Sequence, residues 1–293
     1  MISTMRLRGR SLAGAFALMA AATAVAFGQS TEDVQSCSPV ILERFDRLAA
    51  NIDATIASCT RLIDAGGTGG RALFWPLLVR AAAYGAKHDY KLLIADLTKA
   101  IEIEPLNNVL YTMRGSAYLM TAEIDHAIAD FTRVIDLTGL GHGRRADAYS
   151  RKGEHERAIA DATKEIETGE ARRARAPAGS RAASLPANPD DYARRARIYL
   201  RAGNPAQALV DVERALELSQ ALQSLRADDG GEKVQRRKAE AERRHAGLLH
   251  ARAQVLEALG RREDAISDYR RALRLAPDDK GYQEALRLLG VEP

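Results

Sequence analysis

The chain has 293 residues, of which 46% are hydrophobic and 28% are charged. This composition can supply a globular core and excludes a wholly disordered chain. Lysine and arginine number 43 and aspartate and glutamate 39, an excess too small to indicate a nucleic-acid or anionic-membrane footprint.

The first 28 residues have the layout of a secretory signal peptide. Arg6, Arg8 and Arg10 precede an uncharged run over residues 11–27, and small residues surround Gly28. An uncleaved membrane anchor is the alternative, but the run is at the short limit of the roughly 20 residues that span a bilayer. Cleavage near Gly28 would leave a nearly neutral chain that is periplasmic or secreted, with no stable membrane insertion.

Two cysteines, Cys37 and Cys59, follow this leader within residues 29–66. Because an exported chain reaches an oxidising compartment, we predict a disulfide between them. Two independent thiols are the alternative, and a metal site is disfavoured because no Cys-x-x-Cys spacing accompanies them. Residues 29–66 are interpreted as a degenerate N-terminal hairpin, with a short first helix over 40–50 and a second helix after Asn51.

One sequence block recurs five times between residues 71 and 277. Its anchor is a small or apolar residue, and the five anchors are Leu93, Ala127, Ala158, Ala208 and Ala265. The spacings are 34, 31, 50 and 57 residues, so the last two contain a period plus an insertion. A recurring period of this length is typical of helical repeat architectures.

The blocks share small residues where two helices would meet and larger apolar residues at helical spacing. The second copy has Tyr111, Gly115, Tyr118, Ala127 and Phe131, and the fifth has Ala253, Gly260, Ala265, Tyr269 and Pro277. This pattern resembles the tetratricopeptide repeat family over residues 71–277. The resemblance implies an all-α fold, namely a right-handed α-solenoid of antiparallel helix pairs. Copies one to three would occupy 71–168, copies four and five 189–277, and a capping helix 278–290.

An arginine and an aspartate recur with the same period. The arginines precede the small residue of each first helix and are Arg80, Arg114, Arg145, Arg195 and Arg252. The aspartates follow each anchor by three residues and are Asp96, Asp130, Asp161, Asp211 and Asp268. We predict that each arginine meets an aspartate across a helix pair or between repeats. A binding face is the alternative, but a ligand rarely requires identical charges in every copy.

Two insertions interrupt the later repeats. Residues 169–188 are rich in Arg, Ala and Pro without an apolar period, and we interpret them as a mobile loop, with a basic docking loop as the alternative. Residues 220–245 carry strong helix formers on both sides of a Gly-Gly pair. They predict a protruding helical hairpin, which is either a tolerated insertion or a docking arm.

No constellation of residues predicts catalysis, a metal site or a cofactor. The six histidines lack a ligand spacing such as His-Glu-x-x-His. The run Gly139, Gly141, Gly143 has neither a preceding strand nor the Lys-Ser/Thr of a phosphate loop. We therefore predict a protein that is not an enzyme.

The family resemblance implies that partners bind a concave surface made by the first helices of the repeats. In copies one and two the inward positions are largely apolar and include Trp75, Leu78, Val79, Met113 and Met120. In copies three and four they are basic and include Arg144, Arg194, Arg197 and Arg201. Such a groove would suit a peptide with hydrophobic anchors followed by acidic residues. The alternatives are an N-terminal cap that covers Trp75 and Val79, and an ordinary solvated face at the arginines.

These features together predict a non-enzymatic protein–protein interaction module, a scaffold or adaptor of the bacterial cell envelope. Its partner would be a protein or peptide, with no nucleic acid and no cofactor. The alternative is a self-associating structural subunit of an envelope polysaccharide or secretion assembly.

Overall fold

A computed structural model of the protein describes residues 31–37, 51–65, 70–224 and 232–292. The predicted signal peptide over 1–28, the predicted helix over 40–50 and the tip of the second insertion at 225–231 lie outside the described residues. The chain divides into two compact units, Met1–Thr138 (unit 1) and Gly139–Pro293 (unit 2).

Unit 1 is helical throughout its described part. Its helices are α1 (Thr31–Ser36), α2 (Ile52–Asp64), α3 (Phe74–Ala86), α4 (Tyr90–Ile103), α5 (Asn108–Met120) and α6 (Ile124–Thr138), with a 3₁₀ turn over Gly70–Leu73. The pairs α3/α4 and α5/α6 are the first two repeats. Side-chain caps mark the starts of α4 and α5, where Asp89 accepts the Leu92 N–H and Asn107 accepts the Val109 N–H.

The core of unit 1 lies between consecutive helices. Leu77, Leu97 and Leu110 are fully buried in one cluster that joins α3, α4 and α5. In the second repeat a Cβ added to Gly115 would lie 2.8 Å from Cε1 of the Phe131 ring. The small residue therefore lets the ring pack directly on the backbone of α5, as the repeat pattern predicted.

The N-terminal cap is fastened by the predicted disulfide. Cys37 and Cys59 are bonded, with their Cα atoms 5.1 Å apart, and both are buried. The Arg61 side chain donates to the Asp33 carboxylate over 3.1 Å from its Nε. The prediction of one disulfide is confirmed, and it holds α1 against α2.

Removing this disulfide should destabilise unit 1 strongly. The bond closes a loop with a sequence separation of 22 residues, for which the chain-entropy model gives roughly 3 kcal/mol. We expect a Cys37→Ser/Cys59→Ser variant to lose about that much free energy of unfolding in a denaturant titration of the oxidised proteins. Equal midpoints for the variant and the oxidised parent would contradict this expectation.

Unit 2 is also helical throughout its described part. Its helices are α7 (His142–Lys152), α8 (His155–Ala174), α9 (Arg181–Ser184), α10 (Pro189–Arg201), α11 (Pro205–Ser224), α12 (Glu232–Ala258), α13 (Arg262–Leu275) and α14 (Lys280–Leu288). The pairs α7/α8, α10/α11 and α12/α13 form repeats three to five. Helix α14 contributes Leu286 to the cluster around Ala265 and Tyr269, and so has the position of the expected C-terminal cap.

The first insertion differs from the loop that its composition suggested. Helix α8 continues to Ala174, so residues 169–174 are helical, and a further short helix, α9, follows. The run Glu-Ala-Arg-Arg-Ala consists of strong helix formers, and no proline interrupts the insertion before Pro177. In the second insertion α11 and α12 do continue past the repeat length, as predicted.

The turn inside each repeat shows the same register in all five copies. Five residues before each anchor the backbone has positive φ, at His88 (59°), Ala122 (61°), Gly153 (85°), Gly203 (76°) and Gly260 (73°). Glycine adopts this conformation without the steric cost that a Cβ brings. The first two repeats therefore carry backbone strain of about 1 kcal/mol each that the last three avoid.

Two histidines in the C-terminal part of unit 2 are largely withdrawn from solvent, His245 buried and His250 half-buried. The His250 ring lies between Tyr269 and Tyr282, with ring centroids 5.2 and 5.1 Å apart. The Nδ1 atoms of His245 and His250 are buried, and no described residue hydrogen-bonds to either of them. Burial lowers the pKa of both side chains, and nearby arginines lower that of His245 further.

This burial predicts a pH dependence of stability. Since both histidines protonate less readily when folded than in the unfolded chain, where their pKa is near 6.5, acid favours the unfolded state. Stability should fall as the pH drops from 7 to about 5. A His245→Gln/His250→Gln variant should show a shallower fall in midpoint than the parent, measured by thermal unfolding across this range. Parallel curves would refute the assignment.

Candidate partner-binding surfaces

The recurring arginines and aspartates form forked ion pairs within every repeat. In the first repeat Arg80 donates from Nε to Asp96 Oδ2 over 2.8 Å and from Nη2 to Oδ1 over 2.7 Å. The same two-bond geometry joins Arg114 to Asp130, Arg145 to Asp161, Arg195 to Asp211 and Arg252 to Asp268. All five predicted pairs are confirmed, and each links the two helices of one repeat.

A threonine extends this ion pair to the preceding helix pair. Arg80 Nη1 donates to Thr60 Oγ1 over 2.9 Å, and Arg114 Nη1 donates to Thr98 Oγ1 over 3.0 Å. In unit 2, Arg195 Nη1 donates to Thr163 over 3.1 Å. The sequence interpretation missed these threonines, although Thr98 and Thr163 both lie five residues after an anchor.

The recurring arginines therefore make their contacts within the fold. Hydrogen bonds to Asp96 raise the pKa of Arg80, so the guanidinium stays charged. The guanidinium carbons of Arg80 and Arg114 also lie 5.9 and 5.8 Å from the ring centroids of Tyr84 and Tyr118. With all three nitrogens engaged, these arginines hold helices together and leave no donor fork for a ligand.

The first helices of unit 1 present a surface without free charge. Helices α3 and α5 contain one charged residue each, Arg80 and Arg114, and both are paired within the fold. Trp75 is 42% exposed, Val109 56% and Met120 58%. Trp75 and Val109 are one 34-residue period apart, so they occupy equivalent positions on α3 and α5. Their apolar side chains form an exposed face, which we call the apolar face.

The structure changes the list of residues predicted for this face. Val79 is fully buried, in a cluster with Cys37, Cys59 and Leu62. The N-terminal cap therefore covers Val79, which we remove from the candidate surface, whereas Trp75 stays exposed. Leu78 and Met113 are half-buried and pack against the core of unit 1, so they are less accessible to a partner than Trp75 and Val109.

Of the four arginines predicted for the basic face, three are exposed on α7 and α10, namely Arg144, Arg197 and Arg201. Arg194 does not belong to this set. Its Nε donates to Asp147 over 3.1 Å, and its Nη1 donates to Asp191 over 3.1 Å.

Arg194 fills the seam between α7 and α10. It lies so close to α7 that a Cβ added to Gly143 would meet its Nη1 at 2.7 Å. Burial raises the pKa of Asp191, and the charge of Arg194 opposes that rise. The basic face of unit 2 is thus smaller than the sequence indicated, because Asp191 was not recognised as a partner of Arg194.

Within the described ranges, the structure contains neither a cluster of metal-ligating side chains nor a candidate membrane-spanning helix. Among these residues, no three His, Cys, Asp or Glu side chains are grouped so that they could hold a metal ion. No helix in the same part of the chain combines the length and the hydrophobicity that a bilayer crossing requires.

Helix pairs that are joined by recurring arginine–aspartate ion pairs define a helical repeat protein. Comparison with known proteins supports this class. Residues 246–279 match the family model for the tetratricopeptide repeat. No curated protein shows significant sequence similarity to the chain.

Three solved structures illustrate the similarity in fold. A tetratricopeptide repeat protein from Parabacteroides merdae ATCC 43184 is 15% identical, with a TM-score of 0.55 over 96% of this chain and 100% of that chain. BtubC (BKLC) from P. vanneervenii is 16% identical, with a TM-score of 0.54 over 85% and 93%. A thermophilic protein with these repeats from Thermus thermophilus is 16% identical, with a TM-score of 0.50 over 74% and 98%. The predicted resemblance to the tetratricopeptide repeat family is confirmed, and at these identities it concerns the fold.

Proposed function

We propose that the protein is a non-enzymatic interaction module of the bacterial cell envelope whose apolar face binds an apolar segment of a partner protein. The observation that carries this proposal is the exposure of Trp75, Val109 and Met120 on helices that offer no free charge. Exposed apolar side chains grouped on one face are typical of protein-binding surfaces, and Trp is enriched among residues that dominate binding energy.

The chemistry of the apolar face defines the partner segment. Because neither α3 nor α5 offers an unpaired charge, a charged partner group there would lose its hydration without compensation. An extended or helical segment with uncharged hydrophobic anchors fits best. Within unit 2, the surface arginines Arg144, Arg197 and Arg201 favour acidic residues in a segment that binds there.

Two features support an envelope location. Residues 1–28 have the pattern of a secretory signal peptide, and the Cys37–Cys59 disulfide suits an oxidising compartment. Under this proposal the disulfide-fastened cap forms after export.

A matched pair of valine substitutions tests the apolar face. Val109 lies on first helix α5, and Val210, 68% exposed, lies on second helix α11. In affinity capture from an envelope extract, the Val109→Glu variant should recover at least roughly tenfold less partner than the parent protein, because it places a charge in an apolar contact. Val210→Glu should retain the partner.

Retention of the partner by both variants would reject the apolar face as the binding surface. Sedimentation of the two purified variants controls for altered self-association.

A further inference from the structure

The C-terminal half of α8 forms one wall of a separate cleft. Residues 170–174 continue the helix beyond the length of the second helices in repeats one and two, and most of them are exposed. The cleft has a volume of about 470 Å³ and is lined by Leu140, Lys164, Glu167, Thr168, Ala171, Arg172 and Arg175. It involves the second helix of repeat three and so is distinct from the first-helix surfaces.

The charges in this cleft are unbalanced. Three cations, Lys164, Arg172 and Arg175, face one acid, Glu167. The Lys164–Glu167 ion pair spans 3.4 Å between side chains that are both more than half exposed, so it is weak. Among the described residues, Arg172 and Arg175 form no ion pair with a carboxylate.

The cations follow one face of the helix. Lys164, Thr168, Arg172 and Arg175 are separated by four, four and three residues, so they line up along roughly 16 Å of helix. Leu140 is a partly exposed apolar side chain in the same cleft, and Ala171 gives the helix wall a small apolar step.

We propose that this cleft is a docking site for an acidic helical segment of a partner protein. Carboxylates spaced by three or four residues on the partner would lie opposite Lys164, Arg172 and Arg175, and one apolar side chain would contact Leu140. Such a helix repeats its side chains with the same rise as α8, so its acidic stripe can stay in register along the whole cleft. The apolar contact at Leu140 and Ala171 favours a peptide over a phosphate backbone.

The test uses the whole exported protein and two labelled peptides about four turns long. One peptide carries Glu at every third or fourth position with one Leu, and the other has Gln in place of each Glu. Fluorescence anisotropy should show binding of the Glu peptide that weakens with added salt, and no comparable binding of the Gln peptide.

Two triple variants with the same change in net charge locate the site. Lys164→Glu/Arg172→Glu/Arg175→Glu should bind the Glu peptide at least roughly tenfold more weakly than the parent, since it reverses three exposed ion pairs. The control, Arg236→Glu/Arg270→Glu/Arg287→Glu, changes exposed arginines of unit 2 outside the cleft and should bind within about twofold of the parent. Circular dichroism checks that both remain helical.

Several results would overturn the proposal. They are failure of the Glu peptide to bind, equal losses in the two triple variants, and equal binding of a single-stranded oligonucleotide. The Val109→Glu variant should bind the Glu peptide normally, so failure of this cleft and failure of the apolar face are distinguished.

Discussion

Replacing Asp96 with alanine is expected to lower the free energy of unfolding by about 3 to 5 kcal/mol. Both partners of the Arg80–Asp96 pair are buried, and the substitution leaves a buried guanidinium without its counter-ion. The remaining bond from Arg80 to Thr60 cannot compensate, because a neutral hydroxyl does not balance the charge. Urea titration monitored by circular dichroism measures the loss.

Two control variants distinguish the effect of breaking the buried ion pair from the effect of removing a charge elsewhere. Asp53→Ala removes an exposed partner of Lys87 and should change stability by no more than about 1 kcal/mol. The double variant Arg80→Met/Asp96→Leu replaces both charges with apolar groups and should recover most of the loss. A small effect of Asp96→Ala, similar to that of Asp53→Ala, would show that the framework does not hold the repeats together.

Replacing Phe131 with alanine should cost about 3 to 5 kcal/mol as well. The ring is almost completely buried and packs on Gly115 of α5. Its loss leaves a cavity between α5 and α6 that backbone atoms cannot fill without moving both helices. Thermal and urea unfolding of the purified variant provide the measurement.

A double-mutant cycle with Gly115 makes this prediction specific to the contact. Gly115→Ala alone places a methyl group against the ring and should destabilise the protein by overpacking. In the Phe131→Ala background the same methyl group fills part of the cavity, and alanine is the better helix former. Gly115→Ala should then be neutral or stabilising, and additive effects would contradict the close contact.

The repeat register was predictable because each structural feature of a repeat requires a particular residue type at a fixed distance along the sequence. The forked ion pair joins an arginine to an aspartate 16 residues later in every repeat. The left-handed turn residue precedes every anchor by five residues. Because the pattern recurs five times, residues that the fold requires can be distinguished from residues that are present by chance. A single copy would not allow this distinction.

The errors came from contacts that occur once. Val79 is buried because the N-terminal cap packs on it, and this cap has no second copy in the chain that would reveal the contact. Arg194 is engaged because Asp147 reaches it from α7 and Asp191 lies three residues before it on α10. Periodic reasoning placed Val79 and Arg194 on the correct helices but could not assign their non-periodic neighbours.

The extent of α8 was missed for a different reason. Residues 169–174 lack an apolar stripe, so hydrophobic periodicity predicted a loop there, whereas intrinsic helix propensity favours continuation of the preceding helix. Most of these residues are exposed, so helix propensity predicts their conformation where hydrophobic periodicity does not. The same property leaves their charged face open and creates the cleft at Arg172 and Arg175.

Site-specific photocrosslinking in the native cell tests the central claim most directly. A photoreactive amino acid at Val109 should give a crosslinked partner, because Val109 lies on the apolar face. The same residue at Val210, which is more exposed but lies on second helix α11, should not give that adduct. An adduct at Val210 with none at Val109 would contradict binding through the apolar face.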